Sequence, residues 1–135
     1  MDECLFCKII NKQIPAEIVY ENDDTLAFLD IKPNNIGHTL VIPKKHSRDF
    51  LDTEPNVITE MAHTVHVIAP AILTAVGASS FNITVNNGSV AGQVIFHTHW
   101  YIIPRFENDG YKMWPGNNYK EGEMREVGEK IRAQL

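Results

Sequence analysis

Short β-rich apolar runs broken by turn residues fill the first third of the chain, the mark of strands. Glu17 to Glu21, with Ile18, Val19 and Tyr20, and the run Thr25 to Ile31 read as two strands. Asn22-Asp23-Asp24 between them has the composition of a turn, so the pair is expected as an antiparallel hairpin. Pro33-Asn34-Asn35-Ile36-Gly37 then turns the chain into His38 to Pro43, a third strand that Pro43 ends or pushes to an edge. From about Glu54 to Val76 the pattern changes. Val57, Met61, Val65, Ile68, Ile72 and Val76 recur at spacings of three and four, which predicts a helix with one buried face. Pro70 removes one backbone hydrogen bond, so a kink near Val67 to Ala69, or two abutting helices, is expected. Phe81 to Asn86 reads as a strand, Asn87 to Gln93 as a glycine-bearing loop, and Val94 to Ile103 as a strand that ends at Pro104. A polar helix from about Glu121 to Gln134 closes the chain. Strands, a long helix, then strands, without regular βαβ alternation, predict one α+β domain over residues 1–135. Its expected form is an antiparallel sheet of about five strands with one long central helix and a C-terminal helix, the helices lying on one side.

Composition narrows the partners. At 135 residues the chain has room for one core, and 44% hydrophobic with 21% charged residues excludes a disordered chain. Twelve Lys+Arg against seventeen Asp+Glu give a formal charge of −5 with no basic cluster, so a nucleic-acid polymer is not an expected partner. No apolar run comes near the roughly 18 residues of a membrane span. Met1-Asp2-Glu3 is acidic where a signal peptide is basic, so a cytoplasmic protein without a membrane is expected. Cys4 and Cys7, the only cysteines, are too few for a disulfide framework. Only three residues precede them, so the strand that leads into a thioredoxin-type pair is missing. Half of a zinc site is the other reading, with two further ligands, histidines by preference, from elsewhere.

The chemistry concentrates in Gly92 to Arg105. On a strand, His97, His99 and Tyr101 share one face, while Phe96, Thr98, Trp100 and Ile102 share the other. The preceding Asn86 to Gln93 holds two glycines and several short polar residues, a composition able to turn backbone N–H groups toward an anion. Together they offer fixed donors for phosphoryl oxygens beside an imidazole able to attack phosphorus. His63 and His66, three apart on the long helix, are read as a solvated face, and Phe6 as core or as a stacking surface.

The stretch G-Q-x-x-F-H-x-H-x-Y-I-I-P-R, preceded by V-N-N-G, by D-I-x-P and G-H-T-L-V-I-P-K-K-H, and by C-L-F-C-K-I-I-x-x-x-I-P-A, resembles the histidine triad (HIT) family. The resemblance implies a small α+β domain, usually a homodimer, that binds a purine nucleotide such as AMP and cleaves the bond to the α-phosphorus through a nucleotidyl-histidine. By motif position it implies that His99 is the nucleophile, His97 the first triad histidine and His38 an upstream histidine supporting the triad. Asp30 and Ile31 match the pair that holds the ribose and lines the base pocket, and Asn86, Gly92 and Gln93 match the phosphate-side loop. Relatives with an N-terminal C-x-x-C bind structural zinc, here through Cys4, Cys7, His46 and His97. Two positions depart from the pattern. Tyr101 stands where the third histidine contacts the α-phosphate and offers an O–H but no charge near neutral pH. Val94 stands where many relatives carry Ser or Thr to assist the leaving group, and it donates nothing. A hydrolase or nucleotidyl transferase acting on purine nucleoside phosphoramidates or AMP esters is therefore expected. A nucleotide-binding protein with little catalysis and a hydrolase with an open zinc site on His97 and His99 stand as alternatives.

Overall fold

Asn22 turns the chain into its first hairpin: its Oδ1 accepts the backbone N–H groups of Asp24 and Thr25 at 2.9 and 2.8 Å and the Thr25 hydroxyl at 3.1 Å. The hairpin joins β1 (Ile18–Glu21) to β2 (Thr25–Leu29), and β3 (Thr39–Pro43), β4 (Ser80–Val85) and β5 (Trp100–Arg105) complete a five-stranded sheet. The computed structural model describes residues 3–135, so the first two residues of the acidic N-terminus lie outside the described residues. Strand order is β1-β2-β3-β5-β4 with every pairing antiparallel. β3 is thus interior, and Pro43 ends it rather than moving it to an edge.

Alternation along β2 and β3 sorts their side chains to two faces, and both faces are covered. Leu26, Phe28, Leu40 and Ile42 meet Phe6 and Ile9 of a short helix, α1 (Leu5–Ile10). Ala27, Val41 and Ile102 meet Met61, Val65 and Ile68 of α2 (Pro55–Val76) on the other face. The helices therefore flank the sheet instead of lying on one side. Leu26, Ile42, Met61 and Ile102 have no exposed surface, and full burial of such a side chain contributes about 1.5–3 kcal/mol.

α2 runs as one helix through Pro70, which sits on the exposed face, so two abutting helices do not form. Gly77, at φ 71°, ends it by donating its N–H to Leu73 O. Over 18 residues α2 reaches a mean hydropathy of 1.3, so one helix does have the length and composition of a membrane span, against expectation. Its apolar stripe packs on the sheet.

β5 begins at Trp100, six residues later than Val94, and continues through Pro104. Its last β3 pair is Thr39↔Ile102. Pro104 O accepts Asn35 Nδ2 at 2.9 Å on that same side, where no strand remains, so the missing proline N–H breaks no ladder bond. α3 (Glu123–Gln134) starts two residues later than expected and buries no residue.

Candidate active site

A cavity of about 290 Å³ opens between α1 and the sheet. Leu5, Phe6 and Ile9 form one wall, Phe28 and Leu40 of the sheet a second, and Asp30 and Ile31 at the end of β2 one lip. Gly92, Val94 and Ile95 close the far side, with His99 and Tyr101 between.

His99 is 5% exposed and its ring is oriented at both nitrogens. Nδ1–H donates to His97 O at 2.7 Å, which leaves Nε2 as the acceptor, and the Tyr101 O–H donates to it at 3.1 Å. Burial lowers the His99 pKa against the raising effect of this backbone bond and of the Asp30 charge, which keeps the ring neutral near pH 7. Burial and the Asp30 charge raise the Tyr101 pKa, so the phenol keeps its proton. Phe6 packs edge-on to His99 at 5.1 Å, to His97 at 5.9 Å and to Phe28 at 5.6 Å, so it is a core residue that also lines the cavity.

Asp30 Oδ1 accepts the Lys32 N–H at 2.8 Å. His38 lies behind it, with Nδ1 accepting the Asn34 N–H at 3.1 Å and its ring edge-on to Tyr101 at 5.0 Å. Burial pushes the His38 pKa down against the pull of the Asp30 charge.

The loop before β5 differs from its sequence reading. Gly88 and Gly92, at φ 88° and 96°, bracket a 3₁₀ turn at Ser89–Ala91. The N–H groups of Ala91, Gly92 and Gln93 close on Gly88 O, Ser89 O and Gly88 O at 3.1, 3.0 and 3.0 Å, so these three are spent within the loop. Gln93 is buried as a brace: Oε1 accepts the Gly88 N–H at 2.8 Å, and Nε2 donates to Arg48 O and Ile95 O at 2.8 and 3.1 Å. Gly92 does line the cavity, and a Cβ there would stand 3.4 Å from Asn86 Nδ2.

Behind the cavity a second cluster forms. The Cys4 Sγ accepts the Cys7 N–H at the start of α1, which sets the two sulfurs on one side. The donor atoms of Cys4, Cys7, His46 and His97 all lie within 4.8 Å of one another. His46 Nδ1 and His97 Nδ1 are 3.1 Å apart. Cys4 Sγ is 3.4 Å from His97 Nδ1, and Cys7 Sγ is 3.4 and 3.6 Å from His46 and His97 Nδ1. A tetrahedral ion with metal–sulfur bonds of about 2.3 Å and metal–nitrogen bonds of about 2.0–2.1 Å spaces its ligands at about 3.4 Å (N···N) and 3.6 Å (S···N), so the cluster fits a Cys₂His₂ ion. His97 Nε2–H donates to Pro43 O at 2.8 Å, which turns the Nδ1 lone pair toward the thiols. Burial lowers the His97 pKa to about 4, consistent with a neutral ligand, and burial together with Cys4 pushes the Cys7 thiol up to about 11. His99 stands outside this cluster, so the alternative of an open ion on His97 and His99 has no counterpart among the described residues. His63 and His66 are exposed, as read.

α1 itself is absent from the sequence reading. Its Phe6, Ile9 and Ile10 spacing carries the signal, but six residues hold too little periodicity to distinguish a helix from a loop.

Residues 11–108 match the HIT domain model. The chain is 49% identical over 108 residues to the adenylylsulfatase HINT3 of Arabidopsis thaliana, an alignment covering 80% of this chain and 55% of that protein. It spans little more than half the length of that relative. A crystal structure from Streptococcus mutans superimposes with a TM-score of 0.94 at 38% identity, covering 99% of this chain and 86% of that one. A zinc-bound histidine triad family protein from Mycobacterium smegmatis does so with a TM-score of 0.78 at 34% identity, covering 99% of both chains. With the domain model spanning the sheet and both histidines of the H-x-H segment, the chain belongs to the HIT family.

Proposed function

We propose that the chain is a nucleotide-binding hydrolase or nucleotidyl transferase that cleaves purine nucleoside phosphoramidates or AMP esters, with His99 as nucleophile. The observation that carries this reading is the His99 ring, held by its Nδ1–H on His97 O at 2.7 Å so that Nε2 keeps its lone pair beside the cavity. Asp30, at the opposite lip, is a carboxylate suited to two ribose hydroxyls, and the apolar walls suit a purine. The name of the Arabidopsis relative, an adenylylsulfatase, supports an adenylyl group at phosphorus as the part of the substrate that this fold holds.

In this reading Nε2 attacks the α-phosphorus, the phosphorus–nitrogen or phosphorus–oxygen bond to the leaving group breaks, and a nucleotidyl-histidine forms. Water then attacks the same phosphorus and releases the nucleoside monophosphate and the free imidazole. Tyr101 offers its O–H to a phosphoryl oxygen and keeps its proton, and the leaving group takes its proton from water, since Val94 has none to give. Cys4, Cys7, His46 and His97 would hold zinc as a closed Cys₂His₂ clamp that fixes α1 and does not touch substrate. A homodimer in a reducing, cytoplasmic compartment completes the proposal, in keeping with two free thiols.

A second reading has its own support. The Tyr101 O–H is donated into the very lone pair that must attack, which favours a protein that binds AMP and turns over little. Turnover of adenosine phosphoramidate and AMP binding, measured together, separate the two. The proposal expects turnover that falls at least about 10³-fold in His99→Ala while AMP affinity stays within a few-fold. AMP binding without turnover in the unaltered protein contradicts it and leaves the second reading.

A further inference from the structure

His38 is 4% exposed, and its ring is anchored at one nitrogen only. Because Nδ1 accepts the Asn34 N–H at 3.1 Å, the neutral ring carries its proton on Nε2. That buried Nε2–H has no hydrogen-bond partner among the described residues. Asp30 Oδ2 stands 3.6 Å from it, too far for a hydrogen bond and near enough to become one through a small side-chain rotation. A buried donor left unspent costs free energy, and such an orphan asks for a state in which it is used.

Asp30 is held just as incompletely. Its N–H donates to His38 O at 2.9 Å and its Oδ1 accepts the Lys32 N–H at 2.8 Å, while among the described residues Oδ2 takes no hydrogen bond and faces His38 Nε2 at 3.6 Å. The last torsion of an aspartate has no sharp minima, so one tethered oxygen does not fix the carboxylate plane. A vicinal diol donates two O–H groups to one carboxylate, and that pairing depends on the plane in a way that a single hydroxyl does not.

We propose that His38 is a positioning residue for Asp30: its Nε2–H takes up Oδ2 when a ribose diol enters, sets the carboxylate plane for both hydroxyls, and so makes the site prefer ribonucleotides to 2′-deoxyribonucleotides. The inference rests on the nucleotide reading above and adds to it the sugar specificity and the residue that confers it. Tight packing keeps the donor in place, since His38 sits edge-on to Tyr101 and shares two backbone-linked contacts with Asn34 and Asp30.

Dissociation constants for AMP and 2′-deoxy-AMP, measured by calorimetry on the zinc-loaded full chain, test it. The unaltered protein binds AMP about ten-fold more tightly or better, the worth of one hydrogen bond to a charged group. His38→Asn places an acceptor where Nδ1 was and has no reach to Asp30, so the preference falls toward one. His38→Gln reaches to the Nε2 position with its amide and gives up the Asn34 contact, so the preference returns. A purely structural histidine gives the opposite order, because the Asn variant preserves the turn. An unchanged preference in a folded His38→Asn, or equal loss in both variants, overturns the proposal. Asp30→Ala separates the layers: a preference that survives it refutes the ribose assignment itself, whereas a preference lost there and kept in His38→Asn refutes the role of His38 alone. Should either variant fail to fold, the His38 Nε2–H resonance of the unaltered protein decides. It moves downfield on saturation with AMP, and a resonance that does not move overturns the proposal.

Discussion

Tyr101 has one proton to donate and two acceptors that want it. In the structure it goes to His99 Nε2 at 3.1 Å, so in the proposed reaction an arriving phosphoryl oxygen must draw the O–H away before the lone pair is free to attack. Histidine at this position donates an N–H and can carry charge near neutral pH, which a phenol cannot. Tyr101→His is therefore expected to raise phosphoramidate turnover about ten-fold or more, and a rate equal to or below that of the unaltered protein contradicts this account of the site. Gly37 is decided by space and backbone together. It adopts φ +87°, and a Cβ on it would stand 2.9 Å from Val76 Cγ1 and 3.1 Å from Pro104 Cγ, where α2 ends against β5. Gly37→Ala is expected to cost about 2 kcal/mol or more in a urea titration, from the left-handed backbone and the overpacking combined. A loss below about 0.5 kcal/mol would mean that the joint yields.

At the scale of elements, α1 links two sites. It carries the Cys4 and Cys7 sulfurs toward His46 and His97 on one side, and Leu5, Phe6 and Ile9 toward the cavity on the other. Six residues are too few to hold a helix alone, so the packing of Phe6 and Ile9 maintains it, and in the proposed zinc-bound form the Cys₂His₂ clamp would add to that hold. If the proposed zinc site holds, stripping the zinc-loaded protein with a chelator is expected to lower the melting temperature, speed amide exchange over Leu5–Ile10 and weaken AMP binding. Unchanged exchange in that segment would show that packing alone suffices. The same elements show where the chain is legible. α2 was readable because 22 residues repeat the three-and-four spacing several times, and β1 to β3 because each is a short β-rich apolar run bounded by a clear turn. The segment 94–99 reads like a strand but, among the described residues, pairs with none: Trp100 is the first residue of β5 opposite both Val41 and Val85. Bonds that sequence does not reveal hold it instead, such as Thr98 N–H to Ser47 O at 2.7 Å. The family motif pointed to His99, Tyr101 and Asp30 at the cavity and to the four clamp residues, while Gln93 as a loop brace depends on an Arg48 carbonyl distant in sequence.

For the whole molecule, one carboxylate ties distant parts together. Asp109 accepts from Arg105 Nε and Nη2 at 2.8 and 3.1 Å, from the N–H groups of Phe106 and Tyr111 at 3.1 and 3.0 Å, and from Asn35 Nδ2 at 3.0 Å. It so joins the end of β5, the turn before β3 and the C-terminal segment. The Arg105 guanidinium, aided by these N–H donors, holds its carboxyl well below the usual carboxylate range. A folded-state pKa below the unfolded one contributes stability that is complete above about pH 4 and is lost as the pH falls further. Urea titrations between about pH 2.5 and 7 are expected to show that loss, and Asp109→Asn to be less stable at neutral pH with a flatter acid limb. An acid limb of unchanged slope would mean that other groups set it. Binding, orientation and structural clamping all serve one chemical event in this account, attack by a single imidazole nitrogen. That event is tested most directly by mixing the zinc-loaded protein with adenosine phosphoramidate labelled at phosphorus, quenching within milliseconds and measuring label on the protein. Acid-labile label is expected to form and decay with turnover and to be absent from His99→Ala. Turnover with no labelled protein, or equal labelling of the variant, would contradict attack by this imidazole.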